Sequence, residues 1–515
     1  MEKRVWSVLI VFLFVFSLAG AAHSWQGRMA GMGDPFGLVM DESDFLIHPS
    51  EIADGKGITF YGNYRFNWLN VTHWDYTMKQ FNSSTGALVS RLPFRTTGHE
   101  TEHDALFGAA LPLGPGRLGV FFQYANRDGN FDGHEVIPGS YNTYDFDDRF
   151  NAFTLRALYG IPMGALKLGS EIQLGYQKAK NTDDFFNDNG SQVFLNDIIG
   201  SHIPSINTFP FQFPYDSKWW NMGFKSSLEA PLGPGKLSAT VRGGFIFSGD
   251  NDLHYRNILP FVPFVLESIN FDGNVEGWNM GGDLWWRTSL GNGLSLPLLL
   301  RVDYDKKTWD GRGADVSLGS VLFPDDPIRY RSSEKNFQVE VGGGLDKDFG
   351  KGARAAIGLY YNYLNTNKSY FYQFEFQKTD HTDYPHQIEH RGILRMAGEK
   401  EFCPVFTARL GLNLFFGWVN EGYKFRESFV PFGGTVEHAT IDGPNWGGVL
   451  SLGGTVKLAR FSIEPFVSGG FRRLDLGGEN GFRADFPTFT GSSLSLNMDK
   501  LKEEWSIGGG LSIKY

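Results

Sequence analysis

The chain is nearly without cysteine. Cys403 stands alone, which excludes an internal disulfide framework, a thiolate zinc cluster and haem attachment through Cys-x-x-Cys-His. Basic excess is missing as well. Forty-seven Lys and Arg stand against 57 Asp and Glu, a net charge of −10. A phosphate-binding surface needs the opposite balance, so nucleic acid is excluded as a partner. Long apolar runs are lacking beyond the first few turns of chain. Leu296-Pro297-Leu298-Leu299-Leu300 breaks after five residues, far short of the ~20 that a spanning helix needs.

What is abundant is glycine, 65 of 515 residues, and aromatics, 16% with 47 Phe. The amino terminus sets the compartment. Lys3 and Arg4 precede an apolar run from Val8 to Phe16, then Ser17-Leu18-Ala19-Gly20-Ala21-Ala22. That order reads as a secretory signal peptide over residues 1–22, cleaved after Ala22 or Ser24. No cysteine follows, so a lipoprotein is excluded.

The mature chain alternates with a period of two. Phe60, Gly62, Tyr64, Phe66 and Trp68 interleave with Thr59, Tyr61, Asn63, Arg65 and Asn67. Leu296, Leu298, Leu300, Val302 and Tyr304 interleave with Pro297, Leu299, Arg301, Asp303 and Asp305; Trp505, Ile507, Gly509, Leu511, Ile513 and Tyr515 close the chain likewise. Apolar residues toward lipid and polar ones toward a lumen give a transmembrane β-strand this pattern.

Glycine- and proline-containing turns recur at Leu113–Leu118, Met163–Leu166, Leu232–Leu237, Leu290–Leu294 and Phe349–Arg354. Between them lie longer polar stretches, read as loops at 70–101, 126–149, 178–217, 248–274, 306–335, 366–391, 418–444 and 473–503. Tight turns on one side and long loops on the other are the asymmetry of an outer-membrane barrel. The expectation is an all-β fold: a transmembrane antiparallel β-barrel over 58–515 with about sixteen strands, fourteen being the alternative count. A closed sheet leaves no unpaired edge in hydrocarbon. A soluble propeller would instead show even four-strand periods and short loops at both ends.

On the faces assigned inward, charges of both signs recur: Arg65, Arg156, Lys167, Glu171, Arg242, Asp283, Arg287, Arg301, Asp303, Glu340, Arg409 and Glu464. A charge facing lipid at midplane would cost about 2–4 kcal/mol, so these are expected to line the lumen. They read equally as a hydrated conduit with a transverse field and as a wall of self-satisfied ion pairs around an obstructed interior. Because the signs roughly cancel, no ion selectivity is assigned.

Residues 23–57 do not read as strand. Gly27-Arg28-Met29-Ala30-Gly31-Met32-Gly33-Asp34-Pro35-Phe36-Gly37 is glycine-dense, and Asp41-Glu42-Ser43-Asp44-Phe45-Leu46-Ile47-His48-Pro49-Ser50-Glu51 follows. A segment of this length ahead of the first strand is expected to fold inward and obstruct the lumen, the alternative being a loose periplasmic tail.

This Arg-x-x-Gly-Met-Gly order, followed by an aliphatic stretch, an acidic pair and a Pro-Ser run, resembles the N-terminus of the long-chain fatty-acid and toluene transporter family of outer-membrane proteins. The resemblance covers residues 27–53. It implies a hatch inside the barrel, to which Arg28, Gly31, Gly33, Asp41, His48 and Pro49 would belong, and lateral exit of hydrophobic substrates through the wall. This chain departs from the family in two respects: His48-Pro49-Ser50-Glu51 stands where Asn-Pro-Ala-Gly is usual, and the family's barrels have fourteen strands.

Chemical motifs are few. Asp128-Gly129-Asn130-Phe131-Asp132-Gly133 matches the first half of a calcium loop, yet the twelfth position is Gly139 rather than a bidentate glutamate. The alternative there is an ordinary Asp/Asn/Gly turn. His381, His386 and His390 lie near Asp383 and Glu389 without a recognised metal spacing. No Gly-x-Ser-x-Gly elbow is present. Aromatic residues Trp68, Trp74, Trp219-Trp220, Trp285-Trp286, Tyr360-Tyr361 and Trp418 are read mainly as an interfacial girdle. A path for apolar solutes is the sharper reading.

The sequence therefore points to an outer-membrane channel for passive uptake of hydrophobic or amphipathic small molecules, with no catalysis, cofactor or metal. Membrane lipid and a small solute are the expected partners. A hydrophilic porin and a barrel sheath around a secreted or electron-carrying partner, periplasmic or extracellular, are the alternatives. A barrel hydrolase would need Ser, His and an acid brought together from separate strands.

Overall fold

A computed structural model describes residues 26–39, 42–82, 88–137, 140–187, 215–258, 265–317, 326–374, 379–383, 386–427, 435–458, 461–477, 485–487 and 493–515. The signal segment and Asp41 lie outside the described residues.

The strands are β1 (Thr59–Asn82), β2 (Leu88–Leu113), β3 (Gly116–Ile137), β4 (Ser140–Met163), β5 (Leu166–Asn187) and β6 (Tyr215–Leu232). There follow β7 (Gly235–Ile258), β8 (Val265–Gly291), β9 (Leu294–Ser317), β10 (Asp326–Gly350), β11 (Ala353–Phe374) and β12 (Thr379–Asp383). The last are β13 (His386–Cys403), β14 (Phe406–Glu427), β15 (Thr435–Leu458), β16 (Phe461–Leu476), β17 (Asp485–Pro487) and β18 (Ser493–Lys514). β12 and β17 are short additions, so the wall proper has sixteen strands, each antiparallel to its neighbours.

The sheet closes on itself. β1 pairs with β18 from Tyr61↔Lys514 to Asn82↔Leu494. Phe60 and Tyr515 exchange both backbone bonds at 3.1 Å. With no free edge, every wall strand has two partners, the arrangement hydrocarbon demands.

Period-two alternation sets the faces. Phe60, Tyr64, Leu298, Leu300, Val302, Trp505 and Ile507 stand exposed on the outer face; Tyr61, Asn63, Leu299, Ser512 and Lys514 are buried inward. Short turns join β2–β3, β4–β5, β6–β7, β8–β9, β10–β11 and β13–β14. At the β6–β7 turn Gly233 has φ 59° and Pro234 follows, the chirality that matches strand twist. Asn292 and Gly293 both take positive φ at the β8–β9 turn, as a type I′ hairpin requires. The β13–β14 turn, Pro404-Val405, has no glycine and escaped notice in the sequence.

Three sequence expectations need correction. The polar stretches read as loops are largely strand: β1 runs to Asn82 and β2 starts at Leu88, inside the supposed 70–101 loop. The sixteen wall strands have 16 to 27 residues, whereas ~10 suffice to cross a membrane. Beyond that band both faces meet water, so alternation disappears while pairing continues. For the same reason Asp128–Gly133 is neither calcium loop nor turn; it lies within β3, paired residue for residue with β2 and β4. The adjacent aromatic pairs are also not one girdle. Trp219, Trp285 and Tyr360 are buried inward while Trp220 and Tyr361 face out, because neighbours on a strand point to opposite faces.

Candidate functional site

The N-terminal segment begins with a short helix, Gln26–Gly31, and continues through tight turns at Glu42–Leu46 and Pro49–Asp54. Positive φ at Gly33 and Gly37 breaks any extended run. Proline opens the last turn, where its fixed φ suits a helical start and its missing N–H costs nothing. Apolar residues of this segment pack on the inner wall in two places. Met29, Met32, Leu38 and Val39 meet Leu299, Ala356, Tyr360 and Ala397. Phe45, Leu46 and Ile52 meet Tyr61, Leu106, Ala110, Phe121 and Leu158.

Wall side chains also hold the segment's backbone. Arg156 and Lys225 both donate to the Leu46 carbonyl. Trp285 donates to Gly37 O at 3.1 Å, Arg395 to Phe36 O at 2.8 Å and Asn413 to Gly33 O at 2.5 Å. Each bond satisfies a carbonyl that has no helix or sheet partner. Close approach depends on glycines in the wall. A Cβ on Gly411 would lie 1.9 Å from the Met32 carbonyl carbon, one on Gly453 2.6 Å from Gly31 Cα, and one on Gly169 2.0 Å from Ser50 N.

The residues singled out in the sequence fall as follows. Arg28 Nε is 2.9 Å from Glu399, which is 2.7 Å from Arg409, which is 3.0 Å from Glu464. Gly31 and Gly33 sit in the notches at Gly453 and Gly411. His48 is fully buried, its Nδ1 2.6 Å from Thr240 Oγ1 and its ring against Trp285. Pro49 is buried beside Gly160 and Gly169. Arg156 meets Glu171 at 2.6 Å, with Lys225 on the far oxygen at 3.4 Å. Asp283 is shared by Arg301, at 2.6 Å, and Arg242, which also grips Asp303 at 2.6 Å. Arg287 and Arg354 share Asp346, Arg395 pairs with Glu340 at 2.9 Å, and Lys167 reaches Asp54 at 2.5 Å. Arg65 contacts Asp34 at 3.6 Å with both side chains more than half exposed. The wall charges thus largely satisfy one another or hold the N-terminal segment. The histidines His386 and His390 form no cluster able to hold a metal among the described residues.

Two buried groups of the segment are electrically unusual. Burial lowers the His48 pKa to about 4, against a counter-pull from Asp283, so the ring is neutral. Burial pushes Glu51 up to about 8, with Glu229 adding to the shift. Docking thus brings both side chains into the wall uncharged at neutral pH, which avoids the cost of an unpaired buried ion.

Sequence reasoning missed a recess in the wall of β6–β9. Inward positions Gly223, Gly244 and Gly277 come together there across two strand pairs. Together they floor a cavity of about 620 Å³ edged by Asn221, Asn279, Arg242, Asp303 and Lys307. Lys307 Nζ stands 3.3 Å from the Trp219 ring centroid and 4.7 Å from that of Trp309. The cavity also touches Met222, Phe224, Phe245, Trp278 and Met280, which belong to the outer face. On that outer face the same strands form an apolar groove of about 590 Å³ around Ser170, Ser226, Ala239 and Gly282. β7 also slips against β8 between Ile246 and Asp250. The signal was present as Gly243-Gly244 and Gly281-Gly282, but their meeting depends on register. A third cavity, about 480 Å³ and lined by polar and apolar residues alike, lies opposite between Arg65, Phe66, Asp104, Asn413, Val449 and Phe466.

No protein-family model and no curated protein matches this chain. Solved structures of FadL-type transporters do resemble it. A TodX monoaromatic hydrocarbon channel mutant matches at 9% identity and TM-score 0.44, covering 96% of this chain and 99% of its own. A Pseudomonas aeruginosa FadL homologue matches at 11% and 0.42 with the same coverage. The Ralstonia pickettii toluene transporter TbuX matches at 9% and 0.35, covering 93% and 97%. Likeness this distant carries no functional argument, which rests instead on the site.

Proposed function

We propose that this chain is an outer-membrane channel for passive passage of hydrophobic or amphipathic small molecules. In this reading residues 26–54 plug the barrel, and the solute leaves sideways between β6 and β9. The observation that carries it is a pair of cavities on neighbouring stretches of the same strands, about 620 Å³ on the glycine-lined inner face and about 590 Å³ on the outer face nearer the tight turns. A solute in the inner recess would reach the apolar outer groove by passing between these strands. Clustered glycines in strands mark bends and close approach rather than rigid packing. The axial route is obstructed, since the N-terminal segment packs on walls from β1 to β14. Wall charges drawn into mutual pairs leave little to steer an ionic solute.

The test is uptake of an apolar fluorescent probe into liposomes carrying the full chain. Gly223→Leu fills the recess without a clash, since a Cβ there meets only Gln173 and Gly243 O at 3.5–3.7 Å. Uptake is expected to fall about tenfold, the effect of losing roughly 1.4 kcal/mol along the path. Unchanged uptake with Gly223→Leu excludes this wall.

A hydrophilic pore is the second reading, favoured by the exposed Arg65–Asp34 pair at the edge of the third cavity. It predicts steady conductance in planar bilayers with residues 26–54 in place.

A further inference from the structure

The outer face of β8–β11 carries a feature that transport does not use. Outward parity on β9, fixed by exposed Leu298, Leu300 and Val302, runs on without a register break through Lys306, Asp310 and Arg312. Outward parity on β10, fixed by exposed Phe337, Val341 and Leu345, includes Arg329, Arg331 and Lys335. The pairing then sets Lys306 directly opposite Lys335, and Arg312 directly opposite Arg329. Like charges directly opposed across a strand pair are destabilising. On a chain of net charge −10 such a cluster is against the trend.

The protein supplies little compensation. Arg329 reaches Asp310 at 3.7 Å, and no ion pair among the described residues involves Lys306, Lys335, Arg312 or Arg331. On β8 the outward carboxylates are Asp272, opposite Arg312, and Glu276, opposite Thr308. Five cations therefore share three carboxylates on this face.

Position tells what balances them. The rings of Trp278 and Tyr304, 5.0 Å apart, and of Phe337 and Tyr363, 6.2 Å apart, lie at and just below the Lys306–Lys335 row. Aromatic rings on an outer barrel face mark the headgroup level. The cations begin there and continue toward the long-loop end of the strands, where lipid headgroups stand.

We propose that this face binds a phosphorylated lipid headgroup of the leaflet at the long-loop end, its phosphate seated between Lys306 and Lys335 and its neighbours reaching Arg312 and Arg329. A phosphate oxygen between two ammonium groups turns a repulsion into two charge-assisted bonds. Acyl chains continue over the apolar surface below, as a free anion cannot.

The experiment uses the full chain in detergent, titrated with phosphatidic acid, with phosphatidylcholine of the same acyl chains, or with inorganic phosphate. Retained lipid is counted by native mass spectrometry, and melting is followed in parallel. The protein should hold phosphatidic acid at least about tenfold more tightly than phosphatidylcholine, since each surface cation contributes roughly 1 kcal/mol. A hundredfold excess of inorganic phosphate should not displace it. Lys335→Gln with Arg329→Gln should abolish the preference. The same variant should melt higher than the parent without anionic lipid and lower with it, a crossing that a merely structural role would not produce. Equal retention of the two lipids by the parent, an undiminished preference in the variant, or displacement by free phosphate would overturn the proposal.

Discussion

Glycine does opposite things on two sides of this barrel. On β14 and β15, Gly411 and Gly453 are notches filled by the backbone of Met32 and Gly31. On β6–β8, inward Gly223, Gly244 and Gly277 line a cavity of about 620 Å³, and a Cβ on Gly223 would meet nothing closer than 3.5 Å. The residue type is the same and so is the inward face. What differs is whether another piece of chain arrives. Around Gly411 the approach is sealed by Asn413 bonding Gly33 O, and on the same strand and its neighbour β13 the Arg28–Glu399–Arg409 chain ties down the helix. Among the described residues, no part of the N-terminal segment lines the β6–β8 recess. In the proposed reading the first wall holds the chain's own segment and the second admits a solute.

The sharpest way to break that contrast is Gly411→Leu. Its Cβ alone would lie 1.9 Å from Met32, and backbone cannot yield as a side chain does. The N-terminal segment should be expelled, with its cleavage by added protease rising more than tenfold while the heat-modifiable barrel persists. Overpacking of this kind costs about 1–3 kcal/mol or more. An undisturbed segment would show that the wall, not the glycine, sets the approach.

A smaller effect sharpens the comparison through pH. His48 has a docked value of about 4, below its free value, so its contribution to docking is full above 6.5 and is lost as pH falls toward 4. Glu51 has a docked value of about 8, above its free value, so its contribution is full below 4.5 and is lost as pH rises toward 8. Docking should be tightest between those limits and weaken on both sides, by at most about 1.4 kcal/mol per pH unit for each group. A spin label at Ala53→Cys, with Cys403→Ser, should be most immobile at mildly acidic pH. Glu51→Gln should remove the alkaline limb and start the acid limb near pH 6.5 rather than near 4.5, and a flat profile in the parent would refute this account of the turn.

Much of the barrel was readable before any coordinates. Phe60 to Trp68 and Trp505 to Tyr515 alternate because each wall residue meets either lipid or lumen, and that demand writes itself into adjacent positions. Where the demand stops, so does the reading. Asp128–Gly133 is as fully paired as any strand, but with polar surroundings on both faces it carries turn residues and looked like a loop. Trp219-Trp220 looked like one feature, although a period of two sends the rings to opposite sides. Arg28, Gly31 and Gly33 were picked out by resemblance, while their partners Glu399, Gly411 and Gly453 lie more than 350 residues away. The recess was hidden for a related reason. Each of its glycines is unremarkable alone, and only the register of β6, β7 and β8 brings them together.

The account's central claim is that solute crosses the wall at β6–β9 and not elsewhere. A photoreactive apolar probe, loaded into liposomes bearing the full chain and activated by light, tests it directly once labelled peptides are sequenced. Phe224 and Met280, the outer-face residues that the recess touches, should carry the label well above Leu414 and Leu450 on the β14–β15 wall, though all four are exposed to lipid. Equal labelling of the two walls would mean that the probe reads membrane exposure alone, and the lateral path would be wrong.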